Sequence, residues 1–297
     1  MKSASFDYHA PSSVEEAIEL LVAYDDEAKA LAGGQSLVPL MNLRLSAPRA
    51  IVDLRRVDEL GGIEVSNGNL AMGAMTTYAT ALADSRVQDE LAVLACALRW
   101  VGHPAIRTAG TLGGSVAHAD PAAEVPMILT LLEGEVVARG PRGERRIPAA
   151  DFFLTYFTTA LESDEVLTQL RWPCRQGPPA HRLGWGFREV ARRHGDFCLV
   201  GASSLLALDP DGRVSRARVV LAGIADRPYR LSELEALLVG ELAHDSRLRD
   251  VADAAAGSIE PPGDLHASAD YRRHVARVLT YRVLSDSVQR AEGGDGS

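Results

Sequence analysis

The apolar positions at the start of the chain fall into short blocks with two different spacings. In "PSSVEEAIELLVAY" (residues 11–24), Ala17, Ile18, Leu20 and Leu21 recur at helical spacing, and Ser13 with Glu16 three positions on has the form of a capping box. This predicts a helix with one buried stripe. "AKALA" (28–32) and "AIVDL" (50–54) are short unbroken apolar runs, as in buried strands, and a helix-like stretch separates them. The order helix, strand, loop, helix, strand describes a compact α/β unit ending near residue 58.

From Gly61 the spacing changes to alternation. "IEVSNGNLAMG" carries Asn67-Gly68 between alternating apolar positions, the strongest short-range signal for a hairpin. Helical spacing follows over 77–84 and 89–101. "GEVVARGPRGERRIP" reads as a second hairpin and "EVLTQLRW" as the closing strand of this region. The run "PCRQGPPA" (173–180) is dominated by Pro, Gly and Gln, which marks a domain boundary. Beyond it, 182–191, 198–208 and 213–223 have strand character, the last two joined by the turn "DPDG". Helical periodicity takes over at 232–239, 246–256 and 270–290. The expected class is α+β, with a region at 1–176 (parts 1–58 and 59–176), a three-stranded antiparallel sheet plus helices at 177–290, and a disordered tail at 291–297.

Composition narrows the function. The 297 residues carry a formal net charge of −9, which argues against general binding to nucleic acid or to an anionic membrane surface. No signal-peptide pattern opens the chain and no apolar run is long enough to span a bilayer, so a cytoplasmic protein without membrane insertion is expected. Cys96, Cys174 and Cys198 are scattered, which suits neither a disulfide framework nor a zinc or iron–sulfur ligand set.

Two glycine-rich turns are the candidate chemistry. In Ala32-Gly33-Gly34-Gln35-Ser36, between a strand and a helix, glycine permits positive φ and close approach, so successive N–H groups can line a concavity suited to a phosphate. A single glycine pair is also what a tight turn without any ligand uses, and neither G-x-G-x-x-G nor a P-loop lysine is present. The second segment adds weight: Thr108, Gly110, Thr111, Gly113, Gly114 and Ser115 are followed by Asp120 and Glu124, which can accept from ribose or ribityl hydroxyls. Asp120 is also the expected N-cap of a helix at 121–132. Two such turns, expected to meet in space and to offer exposed main-chain amides from both, suit one extended dinucleotide. Trp100 and Trp185 are most simply core or interface aromatics, and His103 and His118 structural hydrogen bonders; Arg192, Arg193 and Asp196 belong to a turn that is either simply solvated or positions Phe197 or docks a partner chain.

"AGGQSLVPLMNLRL", "TLGGSVAHADPAAEVP" and "FREVARRHGDF", in this order, resemble the flavoprotein (medium) subunits of molybdenum hydroxylases, the carbon monoxide and xanthine dehydrogenase group. The resemblance spans essentially the whole chain. It implies an FAD-binding region of the vanillyl-alcohol-oxidase (PCMH) type, followed by the family's C-terminal domain. Ala32, Gly33, Gly34, Gln35, Ser36 and Leu37 would then hold the FAD pyrophosphate. Thr111, Leu112, Gly113, Gly114 and Ser115 would form the second cofactor loop, with Ser115 standing where many relatives have Asn. Asp120 and Glu124 would meet the ribityl-adenosine portion, Leu167 and Phe197 would lie against the flavin ring, and Arg188 would sit near its pyrimidine edge.

The resemblance further implies an electron-transfer subunit with no catalytic residue and no metal ligand of its own. FAD would be non-covalent, passing electrons from two [2Fe-2S] clusters of a small subunit to an external acceptor. A large subunit would carry molybdopterin and the substrate, in a heterotrimer or a dimer of heterotrimers. Two other readings remain at this point: a free-standing flavin oxidoreductase, and a scaffold that has lost FAD.

Overall fold

A computed structural model describes residues 2–174 and 181–293. Most of the expected boundary segment 173–180 and all but the start of the tail therefore lie outside the described residues. The described residues form two compact units, each drawn from several stretches of chain. The first comprises the chain through Asp89 with His103–Ala119 and Gly134–Trp172; the second comprises Glu90–Gly102, Asp120–Glu133 and everything from Pro173.

The first unit opens with a three-stranded parallel sheet in the order Asp7–His9, Ala50–Asp53, Ala28–Leu31. The Val14–Tyr24 helix covers it with Val14, Ala17, Ile18 and Leu21, which pack with Ala28, Ala50 and Val52. Ser13 caps this helix by accepting from the Glu16 amide, whereas Glu16 itself reaches back one residue further, to the Ser12 amide. Two expectations shift. Leu20 is only partly buried, and "AKALA" is an edge strand with Lys29 and Ala30 exposed, because the Asp7–His9 strand takes the other side of the central Ala50–Asp53.

A five-stranded sheet follows in the order Ile63–Ser66, Asn69–Gly73, Val166–Pro173, Glu135–Gly140, Gly143–Pro148. The first two strands turn at Asn67 (φ 51°) and Gly68 (φ 73°), as a two-residue primed hairpin requires. Leu70, Met72, Val136, Ala138, Leu170 and the whole of Trp172 are buried in this unit.

In the second unit, Arg182–Val190, Val200–Leu208 and Val214–Ala222 form the expected antiparallel sheet, and the two-residue strand Tyr229–Arg230 adds a fourth member. The long Ala269–Ala291 helix lies backbone to backbone on the first strand. A β-carbon on Gly186 would stand 2.2 Å from the Val283 carbonyl oxygen, so only glycine lets the helix approach this far. Leu206, Leu221, Val251, Leu279 and Val283 belong to one buried cluster between sheet and helices. Ala291, placed by the sequence in the disordered tail, is the last residue of the helix and is buried. The 232–239 stretch is helical only at Ser232–Glu235.

Candidate cofactor site

The Ala28–Leu31 strand ends against the first glycine turn, and the Leu37–Asn42 helix leaves it. Gly34 has φ +71°, a conformation that side chains rarely adopt, and it turns the chain between these elements. Among the hydrogen bonds of the described residues, none uses the amides of Gly34, Gln35, Ser36 or Leu37; the turn closes instead from Val38 N to Gly34 O at 3.2 Å. The Gln35 side chain folds onto its own turn, donating to Gly33 O at 2.8 Å. Four neighbouring N–H donors without a protein acceptor, the first on a glycine, are what an anionic group needs.

The second turn lies directly against the first. A β-carbon on Gly33 would stand 2.2 Å from the Ala109 carbonyl oxygen, and one on Gly114 would stand 3.3 Å from the Ala32 β-carbon. The expected meeting of two distant bends is therefore present. Their hydrogen bonding differs, however. Thr111 caps the Leu112–His118 helix by accepting from Gly114 N (3.0 Å), Leu112 N donates to Thr76 O and Gly113 N to Ala74 O (both 2.9 Å), and Ser115 N donates to Thr111 O. The expectation that this turn also offers main-chain amides is corrected: those of residues 112–115 already have partners, because they start a helix and bridge to Ala74 and Thr76. Only the first turn carries a run of free donors; the second supplies the surface on which Gly33 can lie.

Leu167 also belongs to the first unit. It is buried in the Val166–Pro173 strand beside a break in register before Gln169. His118 packs its ring on that of Phe157, with centroids 5.1 Å apart.

The remaining predicted residues lie in the second unit. Asp120 does not cap a helix at 121; its carboxylate accepts from Ala122 N at 2.9 Å, and the helix runs Glu124–Leu131 with Ala123 as N-cap. The intervening Asp120–Ala123 segment closes as a turn through Ala123 N to Asp120 O, which delays the helix. Glu124 is buried, and its carboxyl is held well above the usual carboxylate range by loss of water and then by the charge of Glu189, with Asp120 adding to it. Burial raises the Glu189 carboxyl too, and neither of its oxygens has a hydrogen-bond partner. Cys198 donates its thiol to Ala122 O at 3.2 Å, and burial keeps that thiol protonated. Sequence reasoning missed Glu189 and Cys198. The readable signal for Glu189 is alternation: it shares a strand face with Trp185 and Phe187, an unusual place for a carboxylate.

Arg188 makes a two-point ion pair with Asp286 on the long helix, Nε to Oδ2 at 2.8 Å and Nη2 to Oδ1 at 3.1 Å. Its guanidinium is thus fixed and partly neutralised. Phe197 is 56% exposed at the end of the 191–197 turn, where Arg192 and Arg193 are also exposed. Trp100 stacks on His194 (centroids 5.2 Å), and Trp185 lies under the Arg290 guanidinium at 3.9 Å. Among the described residues, no helix is long and apolar enough to cross a membrane.

Two family domains follow one another along the sequence, an FAD-binding domain of the molybdopterin dehydrogenase kind and then a C-terminal domain of the carbon monoxide dehydrogenase flavoprotein kind, the first drawing on both compact units. Family models with the descriptions "FAD binding domain in molybdopterin dehydrogenase" and "CO dehydrogenase flavoprotein C-terminal domain" match residues 4–175 and 185–287. The chain belongs to this family, the FAD-binding medium subunits of molybdenum hydroxylases. It is 39% identical over 98% of its length, and 97% of the relative, to the 6-hydroxypseudooxynicotine dehydrogenase complex subunit alpha of Paenarthrobacter nicotinovorans. Among solved structures it is similar to quinoline 2-oxidoreductase from Pseudomonas putida 86, with TM-score 0.92, 38% identity and coverage of 98% and 99% of the two chains. Carbon monoxide dehydrogenase from Hydrogenophaga pseudoflava gives TM-score 0.93 at 35% identity, with the same coverage.

Proposed function

We propose that this chain holds FAD non-covalently as the electron-exit subunit of a molybdopterin-dependent oxidoreductase. Electrons from the [2Fe-2S] clusters of a small partner subunit would leave through it to an external acceptor, while a large partner subunit carries molybdopterin and the substrate. The observation that supports this reading is the Gly33-Gly34 turn, where four successive amides lack a protein acceptor and Gly33 lies against the second turn too closely for any β-carbon.

FAD, when bound, supplies a carrier that accepts and releases electrons, and the protein contributes binding, orientation and charge. The amides of Gly34 to Leu37 would neutralise its pyrophosphate. Thr111 fixes the second turn so that Gly33 stays in place beside it. Glu124, buried and protonated at neutral pH, can both donate to and accept from a cofactor hydroxyl. Asp120, whose carboxylate already accepts from Ala122 N, has a further oxygen with which to accept from a cofactor hydroxyl. Arg188 is the positive charge assigned to the flavin's pyrimidine edge, where it would favour the electron-rich form. Leu167 and Phe197 are the apolar surfaces assigned to the ring. No side chain is asked to move a proton in a bond-breaking step, in keeping with an electron carrier.

Purifying the full chain and recording its visible spectrum tests the cofactor assignment: flavin absorption at one equivalent per chain is expected, and colourless protein that takes up no added FAD ends it. Copurification from the native host tests the assembly. Iron and molybdenum should accompany the chain on two further polypeptides, and a chain that reduces an acceptor alone would favour a free-standing oxidoreductase.

A further inference from the structure

The segments that carry Asp120, Glu124 and Phe197 share one internal anchor. The Arg272 side chain, from the first turn of the Ala269–Ala291 helix, is buried among main-chain oxygens. Its Nη1 donates to the carbonyls of Leu199 and of Gly223, the latter at 3.0 Å. Its Nη2 donates to Asp264 Oδ2 at 2.5 Å, and Asp264 is itself held by the amides of His266 and Ala267 at 2.7 and 2.9 Å.

Each carbonyl leads to a proposed cofactor contact. Leu199 is two residues past Phe197, and its own amide donates to Val190 O at 2.7 Å. Gly223 N donates to Pro121 O at 2.9 Å, in the turn between Asp120 and Glu124. Cys198, next to Phe197, bonds Ala122 O in that same turn. One planar guanidinium thus fixes two loop carbonyls that neither a lysine nor a neutral side chain can hold in the same fork.

We infer that Arg272 is a positioning residue for FAD: it sets the Asp120–Glu124 turn and the Phe197 loop in register with one another, without touching the cofactor. This rests on the FAD reading above. The alternative is a fold-stabilising arginine that FAD does not sense.

The test compares FAD dissociation constants and the visible circular dichroism of bound flavin for full-length wild type, Arg272→Met, Arg272→Lys and Asp264→Asn. Val251→Ala, in the core of the Asp245–Ser258 helix and remote from these loops in sequence, is the control for general destabilisation. Arg272→Met should weaken FAD at least about tenfold and alter the flavin dichroism, because loop geometry changes. Arg272→Lys should restore part of the affinity, and Val251→Ala should lower the melting temperature with FAD binding unchanged. Should Arg272→Met not fold, Asp264→Asn, which loosens the fork from outside, should still shift the dichroism. Unchanged affinity and dichroism in the folded Arg272 variants, or in Asp264→Asn where they do not fold, overturn the inference alone; so does a Val251→Ala loss equal to that of Arg272→Met. Wild type that binds no FAD overturns the functional reading and this inference with it.

Discussion

Gly33 packs on Gly110 so closely that a β-carbon on Gly33 would lie 2.7 Å from the Gly110 Cα. Neither backbone has a flexible end that could move aside. Gly33→Ala must therefore push two turns apart, and overpacking of this kind costs about 1–3 kcal/mol. A lower melting temperature together with reduced flavin content is the expected pair of results. Full flavin content at an unchanged melting temperature would contradict the packing described.

Gly34→Asp separates electrostatics from packing. The nearest atoms to a new β-carbon are the ends of the Val38 and Leu31 side chains, at 3.2 and 3.4 Å, so the steric penalty is modest apart from the positive φ. The added carboxylate would face the anion that the free amides attract. Loss of FAD at near-normal fold content is expected, with Gly34→Asn retaining more cofactor because it tolerates positive φ and carries no charge.

Asp286→Asn bears on the flavin's potential. Arg188 is paired with Asp286, and removing that negative charge leaves the cation free to favour the reduced cofactor. The Arg188 side chain is 45% exposed and so partly screened by solvent, and the upward shift should stay within about 30 mV, equivalent to tenfold in a two-electron equilibrium. Spectroelectrochemical titration measures it, and a downward shift would remove Arg188 from the flavin's surroundings.

The pH dependence of the cofactor-free chain follows from Glu124. Its carboxyl lies at about 8 in the folded state against 4.5 for the free group, raised by burial, by Glu189 and by Asp120. The folded state thus binds this proton more tightly, and the stabilisation is complete below pH 4.5 and lost as pH rises toward 8. Glu189, raised to about 7, acts in the same direction. Melting temperature should fall across this interval, and Glu124→Gln should flatten the slope. A slope of opposite sign in the variant difference would assign the ionisation elsewhere.

Thr111→Ala should cost about 1 kcal/mol through loss of the helix cap, and Thr111→Ser much less, since the hydroxyl that accepts from Gly114 N is retained. Chemical denaturation of the two variants distinguishes the cap from the lost methyl group.

Local signals on the chain were sufficient for the hairpins at Asn67-Gly68 and at 135–148, the capped first helix and the three long strands of the second unit, because turn chemistry, capping and alternation act over a few residues. The two glycine turns were legible too, as was the family, through "AGGQS" and "TLGGS" together. The start of the Glu124 helix was not, since Asp120 had two local uses for its carboxylate and the turn won. Nor was the edge position of Lys29, which depends on where the Asp7–His9 strand pairs.

The amino-acid order by itself thus determined that two glycine-rich bends exist and what chemistry their atoms can offer. Tertiary structure alone decided which of those atoms remain available: the Leu112–Ser115 amides are taken up by a helix start and by Ala74 and Thr76, while those of Gly34–Leu37 are left open. It alone also brought Glu189 beside Glu124, Asp286 to Arg188 and Arg272 to two loop carbonyls. Hydrogen bonds and charge pairs between distant segments depend on which backbones come within about 3 Å of one another, and no local pattern encodes that distance.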